Sequence, residues 1–153
     1  MKKHQNIASL FLRLAIAAGF LSAVADRFGY WGLNGSQGVA WGDWQHFVNY
    51  TNVLLPVASA SFANVFAIAA TIAEVGLAVL LILGFCTKWA ALCTGLLGLA
   101  FAISMMLTLG IKAPLDYSVF ILGAAGFLLA SVEKYGWSLD AVIFKRKNKK
   151  EQL

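Results

Sequence analysis

Charge is what this chain has least of: only 12% of its 153 residues are Asp, Glu, Lys or Arg, whereas 60% are hydrophobic. A soluble domain of this length needs more polar surface, so the class is integral membrane protein. Histidine is nearly absent. His4 and His46 fall on opposite sides of the expected membrane, which excludes a two-histidine haem or a histidine-based metal centre within one chain; no metal is expected. The two cysteines, Cys86 and Cys93, lack C-x-x-C spacing and read as small apolar residues at helix ends. Equally missing are a glycine-rich phosphate loop, a nucleophile elbow and a dinucleotide fingerprint.

What the chain does have is long apolar runs. A spanning helix needs about 20 mostly apolar residues, because its backbone groups must bond within the segment once water is gone. Four runs qualify: 7–28, 62–84, 89–109 and 114–132. The expected fold is all-α, a four-helix transmembrane bundle forming one domain over residues 1–153, with a basic tail at 133–153. Pro114 suits the first turn of the fourth span, and Gly84 and Gly110 mark the ends of the second and third.

The net charge of +5 is unevenly placed: six of the twelve cations follow Glu133, and Lys2 and Lys3 open the chain. Cationic flanks favour the cytoplasm, so an even number of spans puts both termini there, in a bacterial-type inner membrane. The basic tail is then a topology signal and a contact for anionic lipid, and no nucleic-acid partner is expected. Lys2, Lys3, an apolar run and Ser22–Asp26 imitate a secretory signal. Arg13 interrupts that run, and the expectation is an uncleaved first helix.

In the long first outer loop, WGDWQHFVNYTNVLL reads as an interfacial helix with Trp41, Trp44, Val48, Thr51 and Leu55 on one side. In the second span Ala63, Ala67, Ala70, Glu74 and Ala78 share a stripe, and in the third Ala91, Gly95, Gly98 and Ala102 do so. Small residues let backbones approach in lipid, so both stripes face other helices.

Glu74 therefore needs a partner. At 1.5 Å per residue Arg13 lies roughly 9 Å inside the cytoplasmic end of the first span and Glu74 roughly 15 Å inside the same face. An ion pair between them satisfies both charges. Two readings stay open: the pair fixes helix register, or it borders a polar pocket where Glu74 relays protons or binds a ligand. A second group, Asp26, Arg27, Asn64, Thr108 and Asp116, gathers near the outer surface as ordinary helix-end polarity or as a ligand site. Redox chemistry, if present, would need a diffusible quinone or a partner's cofactor, with nothing bound covalently.

Read in order, LFLRLAIAAGFL, an aromatic outer loop, AEVGLAVLLILG, CTKWAAL, PLDYSVFILGAAGFLL and the closing GWSLD resemble the DoxX/DoxD family of small four-helix membrane proteins, from about Ile7 to Ile143. The resemblance implies a quinone-interacting subunit of a membrane redox system, of the thiosulfate:quinone oxidoreductase kind, working beside a second redox subunit or as a homo-oligomer. It matches Glu74 and Arg13 to the family's intramembrane charges, Asp116 to its outer acid and Asp140 to the closing motif. Asp26-Arg27 stands where relatives often carry lysine. The alternative is a non-enzymatic assembly factor, chaperone or scaffold.

Overall fold

The apolar runs become helices because, in lipid, only a helix satisfies every backbone group of a single crossing segment. The computed structural model describes residues 3–55 and 60–150. Its helices are α1 (Lys3–Arg27), α2 (Trp44–Leu54), α3 (Ala60–Leu83), α4 (Thr87–Leu109), α5 (Lys112–Asp116), α6 (Val119–Ala130) and α7 (Leu139–Lys150), with no strand among the described residues. The first three expected spans are α1, α3 and α4, each long and apolar enough to cross a membrane.

The fourth expected span, 114–132, is not one helix. It divides into α5 and α6 around Tyr117 and Ser118, and Ser118 adopts a left-handed backbone conformation (φ 55°). Asp116, Tyr117 and Ser118 interrupt the apolar run at the break, a polar dip that a span drawn from Pro114 to Val132 passes over. The backbone is nonetheless satisfied, since the Tyr117 and Ser118 amides donate to Ala113 and Leu115 and Ser118 accepts from Ile121. Alone, α6 is roughly 18 Å long, short of the roughly 30 Å hydrocarbon core.

Two helix pairs form the bundle: α1 packs on α3, and α4 packs on α6. Ile16, Phe20, Ala78, Leu81, Ala91 and Leu129 join them in one core cluster. The stripe expected in α4 is buried as read, and it meets glycines of α6. A Cβ on Gly98 would lie 2.9 Å from the Gly123 amide nitrogen, and one on Gly126 would lie 2.7 Å from Gly95 Cα. Only hydrogen at those positions permits this crossing. The α3 stripe runs through Ala63, Ala67, Thr71, Glu74, Ala78 and Leu81, with Thr71 rather than Ala70 on the buried line. Outward, Phe11, Ile72, Leu107 and Ile121 are exposed. Such a surface suits lipid as the solvent, and the protein is a multi-pass membrane protein.

Both Gly84 (φ 64°), just past α3, and Gly110 (φ 84°), just past α4, take positive φ at the expected helix ends. A Cβ on Gly136 would meet the Asn6 side chain at 2.5 Å, so the start of α1 and the approach to α7 share the end of the bundle that carries the α3–α4 turn. Cys86 and Cys93 are free and exposed rather than packed as core fillers. The helix of the α1–α3 loop, α2, buries Phe47; Trp41 and Leu55 fall outside it. It lies against α3, α4 and the end of α1.

Candidate functional site

Helix α1 carries its two arginines on one buried side, with Arg13 and Arg27 respectively 0% and 2% exposed. Their partners differ from those expected. Arg13 does not meet Glu74. Its Nε donates to the Leu81 carbonyl at 2.8 Å and its Nη2 to Ile82 at 3.1 Å, while Nη1 donates to Gly136 (3.4 Å) and Trp137 (3.3 Å). The reason is the end of α3: its last carbonyls have no partner within the helix, and the negative end of its dipole draws a cation. Gly84 makes the room, since a Cβ there would sit 2.8 Å from Arg13 Cζ.

Glu74 is answered by Arg27 instead. Arg27 Nη2 lies 2.9 Å from Glu74 Oε1 and 2.7 Å from Oε2, and both side chains are 3% exposed. The carboxylate sits 14 residues into α3, roughly 21 Å from its start, so the arginine reaches inward from the end of α1. Thr71, one turn from Glu74, accepts from Arg27 Nη1 at 2.7 Å and passes its own proton to the Ala67 carbonyl. Phe47 covers the guanidinium at 3.8 Å from its ring centroid, and Trp41 lies at 5.3 Å. Arg27 Nε is buried with no hydrogen-bond partner among the described residues. Aromatic faces favour a desolvated cation, but they do not replace that missing acceptor in full.

Other side chains hold α2 over this cluster. Asp43 caps its start, accepting from the His46 amide at 2.9 Å and contacting the His46 ring at 2.8 Å. Those bonds hold the Asp43 carboxyl below its ordinary range. Trp44 donates to Asn64 Oδ1 at 3.2 Å and stacks on Phe28, while Ser104 of α4 donates to the Leu54 carbonyl at 2.7 Å.

Four further residues singled out from sequence are engaged in other structural contacts. Asp26 binds the loop between α1 and α2 by accepting from the amides of Ala40 (2.8 Å) and Gly42 (3.0 Å). Asp116 pairs with Lys112 on the exposed side of α5, and Thr108 donates within α4. Asp140 accepts from the Cys86 and Thr87 amides at 2.9 and 2.8 Å, capping α4 from a distant segment. Sequence reasoning missed Thr71, Phe47 and Trp41 as members of the cluster. The available signal was Thr71's place three residues before Glu74, which puts both on one helix face.

Chemically, the cluster is a polar island between α1 and α3 under an aromatic lid, with one spare N–H donor. Among the described residues no three His, Cys, Asp or Glu side chains converge as metal ligands. No curated protein and no solved structure matches the chain. The family model named DoxX, however, matches residues 8–107, which include most of α1, the lid, Glu74 and most of α4, and the chain belongs to the DoxX family.

Proposed function

We propose that this protein is a quinone-interacting subunit of a membrane redox system, and that the Arg27–Thr71–Glu74 cluster receives the quinone head group. The observation that carries this reading is the Arg27 Nε–H, buried without an acceptor among the described residues and beside a flat ring. A quinone offers the two things this place lacks or already uses: a carbonyl oxygen for the donor and a planar ring for the guanidinium face. Phe47 would move aside, and the isoprenoid tail would run along lipid-facing residues of α1 and α3. Glu74, beside the head group, is the group suited to exchange a proton with a reduced quinone. The partner supplying electrons is a second redox subunit or another copy of the chain, in an inner membrane with both termini cytoplasmic.

A short-chain quinone titrated into the purified protein tests this directly, because quinones quench nearby indole fluorescence and Trp41 flanks the cluster. Saturable quenching that is weakened in Thr71→Val and Glu74→Gln variants shown to remain folded is the expected result. Absence of quenching, together with no quinone in lipid extracted from the purified protein, contradicts the reading.

A second reading has its own observation. The pair is closed, at 3% exposure for each side chain, as expected of a clamp that holds α1 to α3 in a non-enzymatic assembly factor or scaffold. Loss of stability in Glu74→Gln with no ligand to lose supports that alternative.

A further inference from the structure

At the end of the bundle away from Arg27, helix α7 is fixed by its first turn and left uncovered beyond it. Asp140 receives the Cys86 and Thr87 amides, its own amide donates to the Gly84 carbonyl, and Arg13 holds the carbonyls of Gly136 and Trp137. The segment therefore has a set height, that of the α3–α4 turn, where the spans end. Yet Trp137 is 61% exposed, Val142 50% and Phe144 60%. A groove of about 420 Å³ opens beside them, lined by Leu83, Trp137, Ser138, Val142 and Lys145 among others.

The sequence of α7 is segregated along the helix. LDAVIF is apolar apart from Asp140, which is turned to the α4 amides; KRKNKK follows, with five cations in six residues. Each half is roughly 9 Å long. Exposed apolar groups come first and cations follow, so the helix matches the passage from acyl chains to phosphates at a membrane surface, where tryptophan also concentrates. Nucleic acid would use the cations but leave Trp137, Val142 and Phe144 in water.

We propose that this groove is a site for an anionic phospholipid of the adjoining leaflet. The acyl chains lie along Leu83, Trp137 and Val142, and the phosphate sits on Lys145. This site is separate from the Arg27 cluster and stands whether or not a quinone binds there.

The test uses the full-length protein in phosphatidylcholine nanodiscs containing either brominated phosphatidylglycerol or brominated phosphatidylcholine at equal fraction. Bromine quenches tryptophan on contact, and subtracting the Trp137→Phe signal isolates Trp137 from the other indoles. The anionic brominated lipid is expected to quench Trp137 more strongly, and Lys145→Gln is expected to lower its relative association roughly five-fold, the worth of one surface cation near an anionic membrane. Lys145 is exposed, so its replacement leaves the packing intact. Equal quenching by the two lipids, or a preference that Lys145→Gln leaves unchanged, overturns the proposal. So does abolition of the preference by inorganic phosphate, which would make the groove a site for the free anion.

Discussion

The α1–α3 pair and the α4–α6 pair solve the same problem, holding apolar helices together in an apolar solvent, by opposite means. Between α1 and α3 lie two arginines, each immobilised: Arg27 on Glu74 and Thr71, Arg13 on four backbone carbonyls. Between α4 and α6 the crossing is uncharged: Gly98, Gly123 and Gly126 bring the backbones together, and the Phe127 ring packs on Gly95. Charge gives direction and register, and in a bilayer it is costly whenever a partner is missing. Glycine gives close van der Waals packing, and it fails only when something is added. The half with the costly groups is also the half that α2 covers, which is why the candidate site lies there.

The two pairs should therefore break differently. Arg27→Met, which strands Glu74 in a buried site, should have the largest effect, about 3–5 kcal/mol in a denaturant titration in micelles. Replacing both partners by apolar residues should recover most of that loss. Gly126→Ala should cost about 1–3 kcal/mol, because the added methyl meets the Gly95 backbone and the Ala91 carbonyl. Gly76→Ala in α3, where a Cβ meets nothing within 4 Å, should stay within about 0.5 kcal/mol and show that the sensitivity belongs to the crossing rather than to glycine. Asp140→Asn should weaken the cap on α4 by about 0.5–2 kcal/mol, read as faster hydrogen exchange at Cys86 and Thr87.

The smallest effect concerns the lid. Asp43's carboxyl is held below its ordinary value by its bonds to His46. Its stabilisation of the α2 start is complete above the ordinary carboxylate range and is lost as pH falls through the depressed value. Acrylamide access to the lid tryptophans should rise only over that acidic interval, and Asp43→Asn should flatten the profile.

How far these contrasts could be read from residues alone differs between the two pairs. The glycine stripe of α4 was legible, because spacing of three and four places small residues on one face whatever the neighbour is. The charged pair was not. Aligning the spans end to end sets Arg13 beside Glu74, whereas α1 and α3 are shifted so that Arg13 meets Leu81 and Ile82. Periodicity says which face a residue occupies, but not how far one helix slides along another. The free carbonyls of Leu81 and Ile82 at the end of α3, joined by those of Gly136 and Trp137, hold the arginine in place of a carboxylate. Arg27, about 40° from Arg13 around the helix at 100° per residue, was then the remaining cation on the buried face. The break at Ser118 was missed for another reason: reading residues 114–132 as one span-length run passes over the polar Asp116, Tyr117 and Ser118 that mark it. Asp140 stood out through the family resemblance, and its work as a remote cap needed the coordinates.

A double-mutant cycle on Arg27 and Glu74, run beside one on Arg13 and Glu74, tests the central claim most directly. Substituting apolar residues and measuring unfolding in micelles, we expect a coupling of more than about 1 kcal/mol between Arg27 and Glu74 and additive effects for Arg13 with Glu74. Strong coupling of Glu74 to Arg13, with none to Arg27, would contradict the pairing on which the site is built.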